Sequence, residues 1–129
     1  MTEMKAIIEQ TFDLGTVLSI TTGKLLADLG NVYEILNWMT GDELFTHQLP
    51  RASKECAPYL LEKFPVLSTV DTSLVTPKIW ETWLSDQKAI YGNEFHVPPI
   101  PNKAHEVRNP ITELCEIVGE ERVIVVKYN

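Results

Sequence analysis

Apolar residues recur along the chain in two rhythms, and the first has the spacing of a helix. Between Asn31 and Gly41, the side chains of Val32, Ile35, Leu36 and Met39 fall on one face. Glu34 follows Asn31 by three residues, as in a capping box, so the pattern predicts a helix from Asn31 to Gly41. Asp13 can cap a shorter helix through Leu14, Val17 and Leu18, ended by Gly23. Pro77 after Thr76 and Pro110 after Asn109 each suit a first helical position. The first of these helices carries Ile79, Trp80, Trp83 and Leu84 as its apolar face and stops at Gly92. The second carries the stripe Ile111, Leu114, Cys115 and Val118 and is closed by Gly119. Across Pro50–Phe64 the rhythm meets Pro58, so a helix kinks there or two short helices join.

The second rhythm is alternation. "EFHV", Glu94–Val97, puts Phe95 and Val97 on one side of a strand. "RVIVVKY", Arg122–Tyr128, is β-branched and reads as another. "KLLA", Lys24–Ala27, carries a weaker strand signal, and the opening "MKAIIEQTF" suits a strand or a helix, the strand being favoured because the C-terminal one needs partners. The prolines of "HVPPIPNKAHEVRNP" mark an ordered connection or arm rather than a linker between domains. The expected fold is α+β: a small antiparallel sheet packed with four to five short helices, in a single domain over residues 1–129.

Charge narrows the function. The net charge is −7, and Lys24, Arg51, Lys54, Lys63, Lys103, Arg108 and Arg122 are scattered rather than clustered. A nucleic acid polymer is therefore a poor partner, because its backbone repels an acidic surface. A small phosphate ligand is not excluded, since a pocket needs only two or three converging cations. No apolar run has the length to cross a bilayer, and the opening residues lack a signal-peptide pattern, so the expected setting is the cytoplasm with no membrane partner. Cys56 and Cys115 are too few and too far apart for a disulfide framework.

Catalytic chemistry finds little support. No serine lies in a G-x-S-x-G turn, and Cys56 and Cys115 read as small packing residues. His47, His96 and His105 lack zinc spacing, although convergence in the fold stays open. Asp42–Glu43 and Glu120–Glu121 read as solvated turn acids. "TTGK" lacks the first glycine of a phosphate loop. The expectation is a protein that is not an enzyme, with no catalytic residue, no metal and no cofactor.

The densest mixture of polar groups is "TGDELFTHQLPRA", Thr40–Ala52. Thr46, His47 and Gln48 offer a hydroxyl, an imidazole and an amide in succession. Pro50 opens a helix whose N-terminus favours an anion, and Arg51 adds a guanidinium fork. Trp83, with Trp80 and Tyr91 nearby in sequence, could supply a face on which a base stacks, though core packing is its other role. Arg108 lies in the proline-rich arm and could reach across to a neighbouring subunit, giving a composite site in a homo-oligomer. These residues form the candidate ligand site. A structural reading stands beside it: His47 and Gln48 satisfy backbone groups at two helix ends, and Arg51 pairs with Asp42 or Glu55. Composition does not choose between them.

"LGTVLSITTGKLL", "VYEILNWMTGDELFTHQLPRASKECAPYLLEKFPVL" and "PITELCEIVG" together resemble a family of small bacteriophage-encoded proteins. The chain also looks like the phage anti-Thoeris sponges, which bind cyclic ADP-ribose isomers made by bacterial TIR enzymes without cleaving them. Some of those sponges also take up cyclic oligonucleotides, and they assemble as oligomers with ligand sites between subunits. The resemblance implies an anti-defence protein that sequesters a cyclic nucleotide immune signal in the host cytoplasm. The acidic balance, and Lys24 where an arginine would grip phosphate more firmly, are departures from what such a ligand asks. The alternative is an acidic phage protein that inhibits a host enzyme by direct binding.

Overall fold

The computed structural model describes residues 8–118. Among them are two short strands and five α-helices, an α+β fold with a small antiparallel sheet. Strand β1 (Gln10–Asp13) pairs antiparallel with β2 (Glu94–Val97), with Phe12 opposite Phe95. Both rings are buried, and Val97 joins them, so the alternation of "EFHV" does set the inward face. The expected strands at Arg122–Tyr128 and at the start of the opening segment lie outside the described residues.

β1 runs straight into α1 (Leu14–Thr22). The side chain of Asp13 accepts a hydrogen bond from the Thr16 amide at 3.2 Å, and Gly23 ends the helix at φ 77°, a conformation that suits glycine. Leu14 through Ile20 are all buried, so α1 is the central helix of the fold rather than an amphipathic surface one. It packs against α2 (Leu29–Thr40), α3 (Leu49–Lys63) and α4 (Trp80–Tyr91). Val32, Ile35, Leu36 and Met39 line the inner face of α2 as the spacing predicts.

Two boundaries differ from expectation, and of the two readings offered at Pro58 the joining of two short helices is not seen. α2 begins at Leu29 with Asp28 before it, because the Asn31 amide already donates to the Asp28 carbonyl at 2.9 Å. α4 begins at Trp80, after a turn in which the Ile79 and Trp80 amides both donate to the Thr76 carbonyl. α3 continues through Pro58, whose ring lies on the exposed face, where water can serve the carbonyl that loses its helical partner.

"KLLA" forms no strand. Ser19 Oγ donates to the Gly15 carbonyl at 2.7 Å and accepts from the Leu26 amide at 2.9 Å, so the loop is stitched onto α1. The approach is close: a Cβ at Gly15 would stand 2.4 Å from the Leu26 carbonyl oxygen.

The chain leaves β2 as the proline-rich arm. The Ile100 amide donates to the Met39 carbonyl, and Trp38 Nε1 donates to the Val97 carbonyl at 2.7 Å. The arm ends at α5 (Pro110–Val118), where Asn109 Oδ1 accepts from the amides of Ile111 and Thr112 as a helix cap. The apolar stripe expected to seat α5 does not do so. Ile111 is 43% exposed and Val118 is exposed too, Leu114 and Cys115 are half-buried, and the buried residue is Glu113, 3% exposed. A polar contact decides how this helix is turned.

Candidate functional site

That contact is made by the segment the sequence marks out. After α2, Gly41 turns the chain in a left-handed conformation and Asn37 Oδ1 accepts from the Leu44 amide at 3.0 Å. A single 3-10 turn, Thr46–Gln48, then leads into α3. Gln48 is 1% exposed. Its Oε1 accepts from the Phe45 amide at 3.0 Å, and its Nε2 donates to Glu113 Oε1 at 2.9 Å and to the Arg108 carbonyl. Arg51 meets the same carboxylate with its fork: Nε donates to Oε2 at 2.7 Å and a terminal nitrogen to Oε1 at 3.0 Å. Its other terminal nitrogen reaches Glu55 at 2.9 Å and the Glu106 carbonyl at 2.7 Å.

Glu113 therefore accepts three hydrogen bonds, two of them from a cation. The Arg51 bonds hold its carboxyl down to about 2 against the opposing effect of burial, with Gln48 assisting. The guanidinium of Arg51 is raised in turn, chiefly by its bond to Glu113. Beside this lies a second pairing. His105 Nε2 meets Asp42 Oδ2 at 2.9 Å, and Nδ1 meets Glu55 Oε1. Burial pulls the imidazole downward, but the hydrogen bonds to Asp42 and Glu55 outweigh it, and the net shift is upward. His47 Nε2 contacts the Pro110 carbonyl at 2.7 Å, at the start of α5.

The structure thus brings His47, Gln48, Arg51 and Arg108 to one place and engages their polar groups there. Arg108 contributes its carbonyl to Gln48, while its guanidinium pairs with Glu116 and Glu106. Arg51 takes the Glu55 partner foreseen for it and not Asp42, which goes to His105. Trp83 stands apart, half-buried against the core on α4. The three histidines do not converge: His96 pairs with Thr11 on the sheet, His47 with Pro110 and His105 with two acids. Among the described residues no group of three or more His, Cys, Asp or Glu is placed to hold a metal. Cys56 is fully buried and its thiol is pushed up to about 12 by that burial, with Glu55 adding to it, so the thiolate is suppressed.

Sequence reading missed Glu113 and the bridging place of His105. Glu113 sits among apolar neighbours in "PITELCEIVG", and an acid in such a run is normally assigned to the solvent side. It falls off the stripe of Ile111, Leu114, Cys115 and Val118, so the periodicity carries no signal of its burial.

An open hollow lies on the other side of the α3 N-terminus. It is a groove of about 630 Å³ between the end of α1, the start of α2 and the first turns of α3. Leu25, Leu29 and Val32 give it apolar walls, Thr22, Thr46 and Ser53 line it with hydroxyls, and Lys24 and Lys54 bring positive charge. Lys24 Nζ rests on the Thr72 carbonyl at 2.6 Å. Of the six ligand residues expected from sequence, Thr46 alone lines this groove. A second, smaller hollow of about 360 Å³ lies between the far end of α3 and Pro98, Pro99 and Pro101 of the arm.

A family described as "Domain of unknown function (DUF7736)" matches residues 12–70. That span contains every residue lining the larger groove, and it contains Gln48, Arg51 and Glu55 but not His105, Arg108 or Glu113. No curated protein and no solved structure matches the chain.

Proposed function

We propose that the chain is a binding protein that takes a small anionic ligand with a flat apolar body into the groove beside α3 and holds it unaltered. The observation that carries this reading is the groove itself. Its volume falls within the range of roughly 300–1,000 Å³ typical of small-molecule sites, and it sets two lysines and several hydroxyls around apolar walls. Apolar walls suit a base, hydroxyls suit a ribose, and ammonium groups suit phosphate. With the resemblance to phage sponges, the ligand class is a cyclic nucleotide signal, a cyclic ADP-ribose isomer or a cyclic oligonucleotide. A phage anti-defence role in the host cytoplasm, as a homo-oligomer, belongs to the same proposal. No described helix is long and apolar enough to cross a membrane.

The site differs from the one the sequence marks. The Arg51 fork is occupied by Glu113 and Glu55, and a phosphate would have to displace two carboxylates to reach it. Calorimetry with cyclic ADP-ribose isomers and cyclic oligonucleotides tests the proposal. Binding by the wild type, loss of binding in Ser53→Trp, which fills the groove, and recovery of intact ligand after heat denaturation are expected. No binding of any of these compounds, or recovery only of cleaved product, removes the reading.

One observation favours the alternative, inhibition of a host enzyme by direct contact. α5 turns Ile111 and Ile117 outward, at 43% and 59% exposure, on an acidic chain. That reading predicts a host protein retained by the wild type and lost on Ile117→Glu, with no tightly held small molecule.

A further inference from the structure

The Asp42–His105–Glu55 contact stands outside the groove and shares Glu55 with Arg51, and its geometry contains a chemical condition. Both ring nitrogens of His105 face carboxylate oxygens. A neutral imidazole has one N–H, so its other nitrogen would present a lone pair to a carboxylate. Only the imidazolium makes hydrogen bonds on both sides. The side chain is 2% exposed, so there is little room for water to take over either contact.

We propose that this trio is a proton-dependent latch: it fastens the proline-rich arm to α3 while His105 carries its charge, and the arm loosens when that proton leaves. Two separate elements supply the acids, Asp42 from the turn after α2 and Glu55 from α3. Glu55 is shared, since its other oxygen accepts from Arg51 at 2.9 Å and from the Glu106 amide at 3.1 Å. Arg51 in turn holds Glu113. On the arm itself, the Glu106 carboxylate turns toward Arg108 at 3.5 Å, and Lys103 is exposed. Asp42 and Glu55 therefore share a charged His105, while Glu55 and Glu113 share Arg51. Loss of the histidine proton removes the cation that faces Asp42 and leaves Glu55 with Arg51.

The direction of the effect follows. The folded-state value of His105 is raised, so the latch contributes fully below the ordinary histidine value near 6.5. Its contribution is lost as pH rises from there through the folded-state value. Nearer β2 the arm has a second anchor, the Ile100 amide on the Met39 carbonyl, which has no such dependence. Beyond the latch the Glu106 and Arg108 carbonyls are held by Arg51 and Gln48, so the loosening is confined to the stretch around His105, with the Glu106 amide as its reporter.

The test is NMR of ¹⁵N-labelled wild-type protein across about pH 5.5–9, following the His105 ring nitrogens and the exchange protection of backbone amides, corrected for intrinsic rates. Two ring N–H groups below neutrality are expected, with a midpoint above the ordinary value. Protection of the Glu106 amide should fall about tenfold or more through that midpoint, while the Ile100 amide keeps its protection. Asp42→Asn keeps the shape but removes one charge, so it should move the midpoint back toward the ordinary value. His105→Gln should leave the Glu106 amide poorly protected at every pH, and if that variant does not fold, the wild type and Asp42→Asn still decide. A midpoint at or below the ordinary value, a Glu106 amide indifferent to the titration, or an unmoved midpoint in Asp42→Asn would each overturn the proposal.

Discussion

Gln48, which caps α3, engages its partners on the same side as Arg51 and Glu55, and Pro50, Ser53, Lys54 and Ala57 leave the helix on the other. The first side is closed. Its charges are matched bond for bond by the arm and α5, and no buried side-chain polar atom among the described residues is left without a partner. The second side is open, with cations and hydroxyls around a hollow. The same types of residue thus meet counter-charges from their own chain on one side, while on the other Lys24, Thr22 and Thr46 bond to uncharged groups and no carboxylate among the described residues lines the hollow. A sequence window that holds both sides cannot separate them, because the partners of the closed side arrive about sixty residues later, as the 62-residue separation of Arg51 and Glu113 shows.

The sharpest way to break this contrast is Glu113→Ala. It strands the Arg51 fork and the Gln48 amide, and we expect a loss of about 3 kcal/mol in unfolding free energy, read from urea denaturation. A loss below about 1 kcal/mol would mean that the closed side is ornament to a core that stands without it. The same carboxylate predicts an acid response. Its folded-state value is lowered, so its contribution is full above the ordinary glutamate value near 4.5 and is lost as pH falls toward about 2. Urea midpoints measured through that window should drop more steeply in the wild type than in Glu113→Gln.

Next in size is Gly15→Ala. The new methyl would meet the Leu26 carbonyl and the Leu84 side chain, and we expect about 2 kcal/mol of destabilisation by the same measurement. Because Leu26 belongs to the loop that carries Lys24 and Leu25 into the groove, this variant also asks how firmly the open side is framed. The smallest stability effect belongs to Lys54→Glu, within about 0.5 kcal/mol, since the residue is exposed. Its affinity for a cyclic nucleotide should nevertheless fall about tenfold or more, by calorimetry. A Lys54→Glu protein that binds as well as the wild type would take the open side out of the function.

Local signals were legible where one residue settles the conformation. Asp13 and Gly23 bound α1, Gly41 and Gly92 end α2 and α4, and Pro110 opens α5, all as their chemistry requires. The inner face of α2 and the alternation of β2 were readable for the same reason. What was not readable depends on distant partners. "KLLA" looks like a strand until Ser19 takes the Leu26 amide. The stripe of α5 looks like a core face until Arg51 and Gln48 claim Glu113. The segment Thr40–Ala52 reads as a place rich in bonding groups, but whether those groups face a ligand or their own chain is settled by residues 105–113. The groove was invisible for a related reason: its lining comes from three helices, and no short window contains it.

The two-stranded sheet has a consequence for synthesis on the ribosome. Thr11 and His96, 85 residues apart, are neighbours across it, and the pairing brings Phe12 against Phe95. While the chain is being made, β1 must wait for the 85 residues from Thr11 to His96 to emerge before β2 exists, and closing so long a loop is slow compared with forming the helices between. Through that interval Phe12 lacks its cross-strand cover, so the nascent chain exposes an apolar ring that a chaperone would serve to protect.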